Sequence, residues 1–198
     1  MSDPVPRVVK IGGSLTDRFS RLIPAIMRSG CPLLIVPGGG RFADAVRARQ
    51  LDNDASHWMA IAAMEQVGWW ISSFGVEPTD SVSAPRGVSV LLPYAELRRL
   101  DPLPHSWETT SDVIAAWVAS RLGLDLLLLK SVDGLHSGGV LAGEVTEPVA
   151  CDEVDPLFLP FVFDHGLSVQ VVNGRHEDRV AAALQGRAVR GTVIHPRF

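Results

Sequence analysis

The stretch VVKIGGSL, residues 8–15, poses the fold question. An apolar, β-branched run reads as a buried strand, yet it carries a lysine and runs straight into two glycines. A buried ammonium without a partner is costly, and adjacent glycines weaken strand and helix alike. A negatively charged group beyond the strand end would compensate for both, and a phosphate is the natural candidate.

Working outward, a strand is predicted over 6–11 and a helix over 17–28, stopped by Gly30. A second apolar strand, 32–36, ends in Pro37-Gly38-Gly39-Gly40, and 42–50 is helical. A long amphipathic helix covers 57–74, with Asp54 or Ser56 as its cap. A short strand at 87–92 and helical turns at 94–100 lead into a polar stretch, DPLPHSWETTSD. That stretch opens a helix over 112–121. The strand 125–129 ends at Lys130, and 134–143 reads as a hairpin or loop. A helix at 155–163, a strand at 168–172 before Asn173-Gly174, a helix at 177–184 and a last strand at 192–194 complete the chain. Strands alternate with helices, and several strands are unbroken apolar runs. The expectation is an α/β fold, a three-layer α/β/α sandwich with a mainly parallel central sheet. In such folds ligands bind beyond the carboxyl ends of the strands, where the glycine clusters fall.

The composition narrows the function. The 198 residues are 46% hydrophobic and 20% charged, which suits one domain with a substantial core. A net charge of -4 gives no basic surface for nucleic acid or an anionic membrane. Cys31 and Cys151 are isolated, without metal-ligand spacing, and read as small apolar residues of a reducing compartment. With no apolar signal core near the N-terminus, the expected location is the cytoplasm. Only two of the 18 basic residues are lysines, Lys10 and Lys130, and both end apolar strand-like runs. A chain that otherwise uses arginine keeps lysine where a compact ammonium is needed.

The chemistry-bearing motifs follow from these positions. Neither glycine loop matches the P-loop or the dinucleotide fingerprint. Each still joins a buried strand to a helix, where backbone N–H groups and the helix dipole favour an anion. Tight turns explain one such loop; two after neighbouring strands, one preceded by lysine, favour a phosphate. Phosphoryl transfer is catalysed mainly by positioning and positive charge, a task for Lys10 and Lys130. TTSD at 109–112 is a helix cap whose Asp112 is also placed to hold the lysines. The turn SVDG at 131–134 says little alone. The six histidines show no metal-ligand spacing, and no metal ligand is predicted. Over an acceptor pocket the candidates are His57, Trp58, Met59, His105 and Trp107. Packing alone also accounts for most of the aromatic residues of the 57–74 helix, and that apolar face suggests a homo-oligomer.

Taken in order, VKIGGS, PGGGRFAD, TSD and LLKSVDGL resemble the amino-acid-kinase superfamily over most of the chain. The resemblance implies transfer of the γ-phosphate of MgATP to a small anionic acceptor. It makes Lys10, Asp112 and Lys130 catalytic, with Gly12, Gly13, Ser14, Ser131, Asp133 and Gly134 on the nucleotide. Gly38, Gly39 and Gly40 would meet the acceptor, joined by Asp54, His57, Trp58 and Trp107. Acceptor binding would occupy about 1–110 of a single domain and nucleotide binding about 111–198. Two departures stand out. Lys130-Ser131-Val132-Asp133-Gly134 replaces the family's T-D-V-D-G, which implies a relocated second lysine, and 134–156 leaves little room for the usual nucleotide-side insertions. The small size and the HWMAIAAM helix resemble a compact branch that phosphorylates an (aminomethyl)furanyl-methyl phosphate in methanofuran biosynthesis. Arg41 and Arg47 would then suit the acceptor phosphate, and Asp52, Asp54 or Glu108 its ammonium group. The alternatives are a carboxylate or isoprenoid-phosphate kinase, or a non-catalytic relative that binds a nucleotide or oxyanion.

Overall fold

The structure is a computed structural model and describes residues 5–196. Ten strands and seven α-helices are assigned among them. The first half holds β1 (Arg7–Ile11), α1 (Phe19–Met27), β2 (Leu33–Pro37), α2 (Gly40–Arg47), α3 (Asn53–Ser72), β3 (Glu77–Thr79), β4 (Val88–Leu91) and α4 (Tyr94–Leu100). The second half holds α5 (Ser111–Leu122), β5 (Leu126–Lys130), β6 (His136–Ser137), β7 (Val140–Leu141), β8 (Glu144–Val145), α6 (Phe158–Asp164), β9 (Val169–Asn173), α7 (Glu177–Leu184) and β10 (Gly191–Ile194).

Eight strands form one sheet in the order β3-β4-β2-β1-β5-β9-β10-β8. Every pairing is parallel except β10 with β9, which is antiparallel. Both faces are covered, so the central strands are buried apart from Arg7 and Lys130 at their ends and read as apolar runs. Val8, Leu34, Leu126 and Leu128 face one core with α5 and α6. Val9, Ile11, Leu33, Leu127 and Leu129 face the other with α1 and α7. Helix α3 contributes to both, through Ile61 and Met64 on one side and Val67 and Ile71 on the other. This is the expected three-layer α/β/α sandwich.

The differences from expectation lie at ends and edges. Asp52, not Asp54 or Ser56, caps α3, accepting a 2.8 Å hydrogen bond from the Ala55 N–H, so the helix starts at Asn53. The segment after β1 begins as a 3₁₀ turn, Gly13–Arg18, before α1 starts. Helix α2 begins at Gly40, earlier than its apolar pattern shows. Strands β3 and β8 escaped the sequence reading because each is an edge strand of only two or three residues, too short to show a periodic pattern. The 134–143 segment forms the β6–β7 hairpin, turned by Gly138 and Gly139, both at positive φ (58° and 79°).

Candidate active site

Side chains alternate along a strand, so Val8 and Lys10 project from the same face of β1, as do Leu126, Leu128 and Lys130 from β5. The strands are parallel neighbours, with Lys10 opposite Leu128. The two lysines therefore end on one face of the sheet, staggered along adjacent strands at their carboxyl ends. Helix α5 packs over that face and opens there, its Thr110 hydroxyl accepting from the Asp112 N–H at 3.2 Å. Asp112, in the first turn, points its carboxylate down onto the lysines.

One Asp112 oxygen lies 2.6 Å from the Lys10 ammonium as an ion pair, off the hydrogen-bond direction. The other accepts a 2.6 Å hydrogen bond from Lys130. Lys10 and Asp112 are 4% and 2% exposed, while the Lys130 side chain reaches toward the cavity. Burial pulls the Lys10 ammonium below the usual lysine value; Asp112 opposes that and the Lys130 charge adds to it. Burial alone would raise the Asp112 carboxyl, but the two ammonium groups outweigh it and hold the group below the ordinary value. The three groups carry one net positive charge, in a place from which water is largely excluded.

The glycine loops frame the cavity by touching one another. A Cβ on Gly13 would come 2.3 Å from the Gly40 Cα, and one on Gly38 would come 2.8 Å from the Gly13 nitrogen. Gly40 also has a positive φ of 50°. The Gly12 N–H donates to the Leu129 carbonyl at 2.9 Å and the Gly38 N–H to Ile11 at 2.9 Å, so both are committed to the sheet end rather than to a ligand. Gly13 and Ser14 start the 3₁₀ turn, where the first N–H groups have no intrahelical acceptor.

A cavity of about 440 Å³ opens above the lysines. Lys10, Gly13, Ser14, Gly39, Gly40, His57, Trp107, Asp112 and Lys130 line it. Arg41, Asp44 and Arg47 from α2 form one wall, with the Arg47 guanidinium 4.8 Å above the Trp107 ring. Ile61 and Met64 add an apolar wall from α3. Sequence reasoning gave Thr109 and Thr110 only as part of a helix cap and did not place Asp44 or Asp155; all four also line the cavity. Asp155 accepts a hydrogen bond from Thr110. The run Thr109-Thr110-Ser111 was a visible polar signal, whereas Asp155 had none before the helices were packed.

The remaining candidates lie elsewhere. Trp58 turns away, sandwiched between Arg98, Tyr94 and His105. Asp54 is bound to His105 at 2.7 Å. Ser131 accepts a 3.2 Å hydrogen bond from Ser14 at the outer edge. Asp133 is a hub for Asn173 (2.9 Å), Arg179 (2.8 Å) and Arg190 (2.7 Å); these partners, Asn173 first, outweigh its partial burial and depress its carboxyl to about 2. A Cβ on Gly134 would meet the Thr192 hydroxyl at 2.5 Å, a packing constraint.

Two ammonium groups held apart by a carboxylate, under a wall of arginines, suit developing charge on phosphoryl oxygens rather than hydride or proton transfer. The class that fold and site define is a small-molecule phosphotransferase. No family model matches the chain. The chain is 30% identical over 204 residues to the [5-(aminomethyl)furan-3-yl]methyl phosphate kinase of Methanocaldococcus jannaschii, covering 91% of this chain and 93% of that protein. Its structure is similar to that of the uridylate kinase of Archaeoglobus fulgidus, with TM-score 0.69, 19% identity and coverage of 95% and 99% of the two chains. It is likewise similar to the UMP kinase of Ureaplasma parvum, with TM-score 0.69, 16% identity and coverage of 98% and 100%. An isopentenyl phosphate kinase gives TM-score 0.64, 14% identity and coverage of 96% and 100%. The chain belongs to the amino-acid-kinase superfamily and is an ATP-dependent kinase.

Proposed function

We propose that the enzyme transfers the γ-phosphate of MgATP to a phosphomonoester, with an (aminomethyl)furanyl-methyl phosphate as acceptor and its diphosphate as product. The observation that carries this reading is the Lys10–Asp112–Lys130 cluster at the floor of the cavity, with both contacts at 2.6 Å. An acceptor phosphate oxygen attacks the γ-phosphorus, the bond to the bridging oxygen of ADP breaks, and ADP departs with that electron pair. No proton needs to move when the acceptor phosphate is fully ionised. Lys10 and Lys130 neutralise the equatorial oxygens, and Asp112 keeps the two cations from repelling one another out of place.

Acceptor binding falls to the half up to about residue 110. Arg41 and Arg47 meet the acceptor phosphate, and Trp107, Ile61 and Met64 give a flat, apolar wall for a furan ring. Nucleotide binding falls to about 111–198, approached past Ser14, Ser131 and Asp133. Mg²⁺ carried by the nucleotide would neutralise phosphate charge and would need few protein ligands. The residues fit that: Asp112 is occupied by its lysines, and Asp155 and Asp44 are the cavity carboxylates free of them. Among the described residues no helix is long and apolar enough to cross a membrane. Helix α3 presents Met59 and Trp69, 44% and 55% exposed, as the face for self-association. Strict monomer behaviour in sedimentation velocity would remove that proposal.

³¹P NMR with MgATP and a panel of acceptors tests the substrate. The panel holds (aminomethyl)furanyl-methyl phosphate, isopentenyl phosphate, UMP, acetylglutamate and aspartate. Coupled diphosphate signals that appear only with the furan phosphate support the proposal. Product from another acceptor instead would reject the furan.

A further inference from the structure

Helix α4 ends at Leu100 and α5 begins at Ser111, so residues 101–110 cross the molecule as a strap without helix or strand. The strap delivers Trp107, Thr109 and Thr110 to the cavity. His105 fastens its start, beside the Thr110–Asp155 hydrogen bond and the Arg47–Trp107 contact further on. The His105 ring's Nδ1 lies 2.7 Å from Asp54 on α3, and its Nε2 lies 2.8 Å from Asp101 at the end of α4. The same ring stacks on His57 with centroids 4.3 Å apart and planes 19° from parallel. Trp58 closes the side edge-on at 5.1 Å.

A carboxylate oxygen only accepts hydrogen bonds, so a ring with both nitrogens against carboxylates holds both protons and is an imidazolium. Hydrogen bonds donated to Asp54 and then to Asp101 raise its value above that of an ordinary histidine. His57, 6% exposed and lining the cavity, is driven the opposite way by burial and then by the His105 charge. A cation therefore lies flat against a neutral ring. A shared metal ion explains the cluster less well. Two histidines that ligate one ion must aim a nitrogen at a common point, and rings stacked almost parallel do not.

We propose that Asp54, His105 and Asp101 form a latch that fastens the 101–110 strap to α3 and so sets His57 and Trp107 as walls of the acceptor site. His105 is thus a positioning residue. The role in acceptor binding rests on the function proposed above; the fastening of the strap does not. The titratable and charged groups around the latch are Asp54 and His57 from α3 and Asp101 closing α4, with Arg98 of α4 across the Trp58 ring. Because the folded-state value is raised, the latch is intact below the unfolded histidine value of about 6.5. It opens as pH rises through the raised value.

The test uses the full-length protein and its His105→Ala and Asp101→Asn variants, with two readouts. Limited proteolysis without ligands, read by mass spectrometry, should show cleavage within 101–110 rising about tenfold in both variants, because local opening governs cutting. Steady-state kinetics should show the acceptor KM rising about tenfold, with kcat and the ATP KM within about threefold. The wild-type acceptor KM should climb with pH, and that climb should vanish in His105→Ala. Unchanged cleavage overturns the latch, as does an equal rise in both KM values. Zn²⁺ that displaces the His105 ring protons in ¹⁵N NMR would also overturn it, in favour of a cation site. Failure to turn over any furan phosphate would overturn the substrate reading, and proteolysis would still decide the latch.

Discussion

Two carboxylates in this molecule each bridge two cations, and they differ in almost everything else. Asp112, 2% exposed, holds Lys10 and Lys130 at the floor of the cavity. Asp133, with a side chain 25% exposed, holds Arg179 and Arg190 past the end of β5. Guanidinium groups offer several donors in a fixed fork and suit a permanent clamp. Ammonium groups are compact point charges that can leave a carboxylate and meet phosphate oxygens instead. The chain spends both of its lysines at the more buried site and uses arginine at the more exposed one. Under the proposed function, the difference separates a cluster that meets phosphate oxygens from one that holds the chain together.

The comparison breaks most sharply at Asp112. Asp112→Asn leaves the buried Lys10 and the partly buried Lys130 ammonium groups without a counter-charge, and unfolding in urea should show a loss of about 3–5 kcal/mol. A loss near that of an exposed ion pair would make the two carboxylates alike. Lys10→Ala should lower kcat by roughly 10²–10³, with the ATP KM within about threefold, since its charge acts mainly in the transition state. Equal losses in kcat and in nucleotide binding would refute that role. Gly13→Ala forces a Cβ into the Gly40 backbone, for which a 2.3 Å approach leaves no room. Thermal unfolding should register about 1–3 kcal/mol of destabilisation, and an unchanged midpoint would mean the loops separate easily. The smallest effect belongs to Asp133→Asn, about 1 kcal/mol or less in denaturant titration. Its carboxyl is depressed, so its contribution is present above the unfolded value of about 3.9 and fades as pH falls through about 2. A loss as large as that at Asp112 would erase the contrast.

The floor of the site was legible early because its signals are local. A lysine ending an apolar strand, a glycine pair beyond it and a cap-and-acid pattern at a helix start each name their own place. Strand alternation then puts Lys10 and Lys130 on one face once β1 and β5 are neighbours. The walls were less legible. Asp44 and Asp155 reach the cavity only because α2 and the segment before α6 pack over the sheet end. Trp58 sits beside His57 in the sequence, yet one helical step sends it toward Arg98 instead of the cavity. Gly12 and Gly38 read as anion-binding glycines, but their N–H groups are consumed by the sheet.

The sequence by itself determined the alternation of strands and helices, the parallel sheet, and the identity of the three charged groups at its heart. Those follow from hydrophobic periodicity and from where lysine, glycine and a capped acid fall along the chain, which are properties of neighbouring residues. Tertiary structure alone decided that Gly13 and Gly40 touch, that Asp112 bridges both lysines, and that the 101–110 strap is pinned through His105. These depend on strand order and helix packing, the longest span running from Lys10 to Asp112. Periodicity is blind at that range, and only the closed core brings such groups within bonding distance.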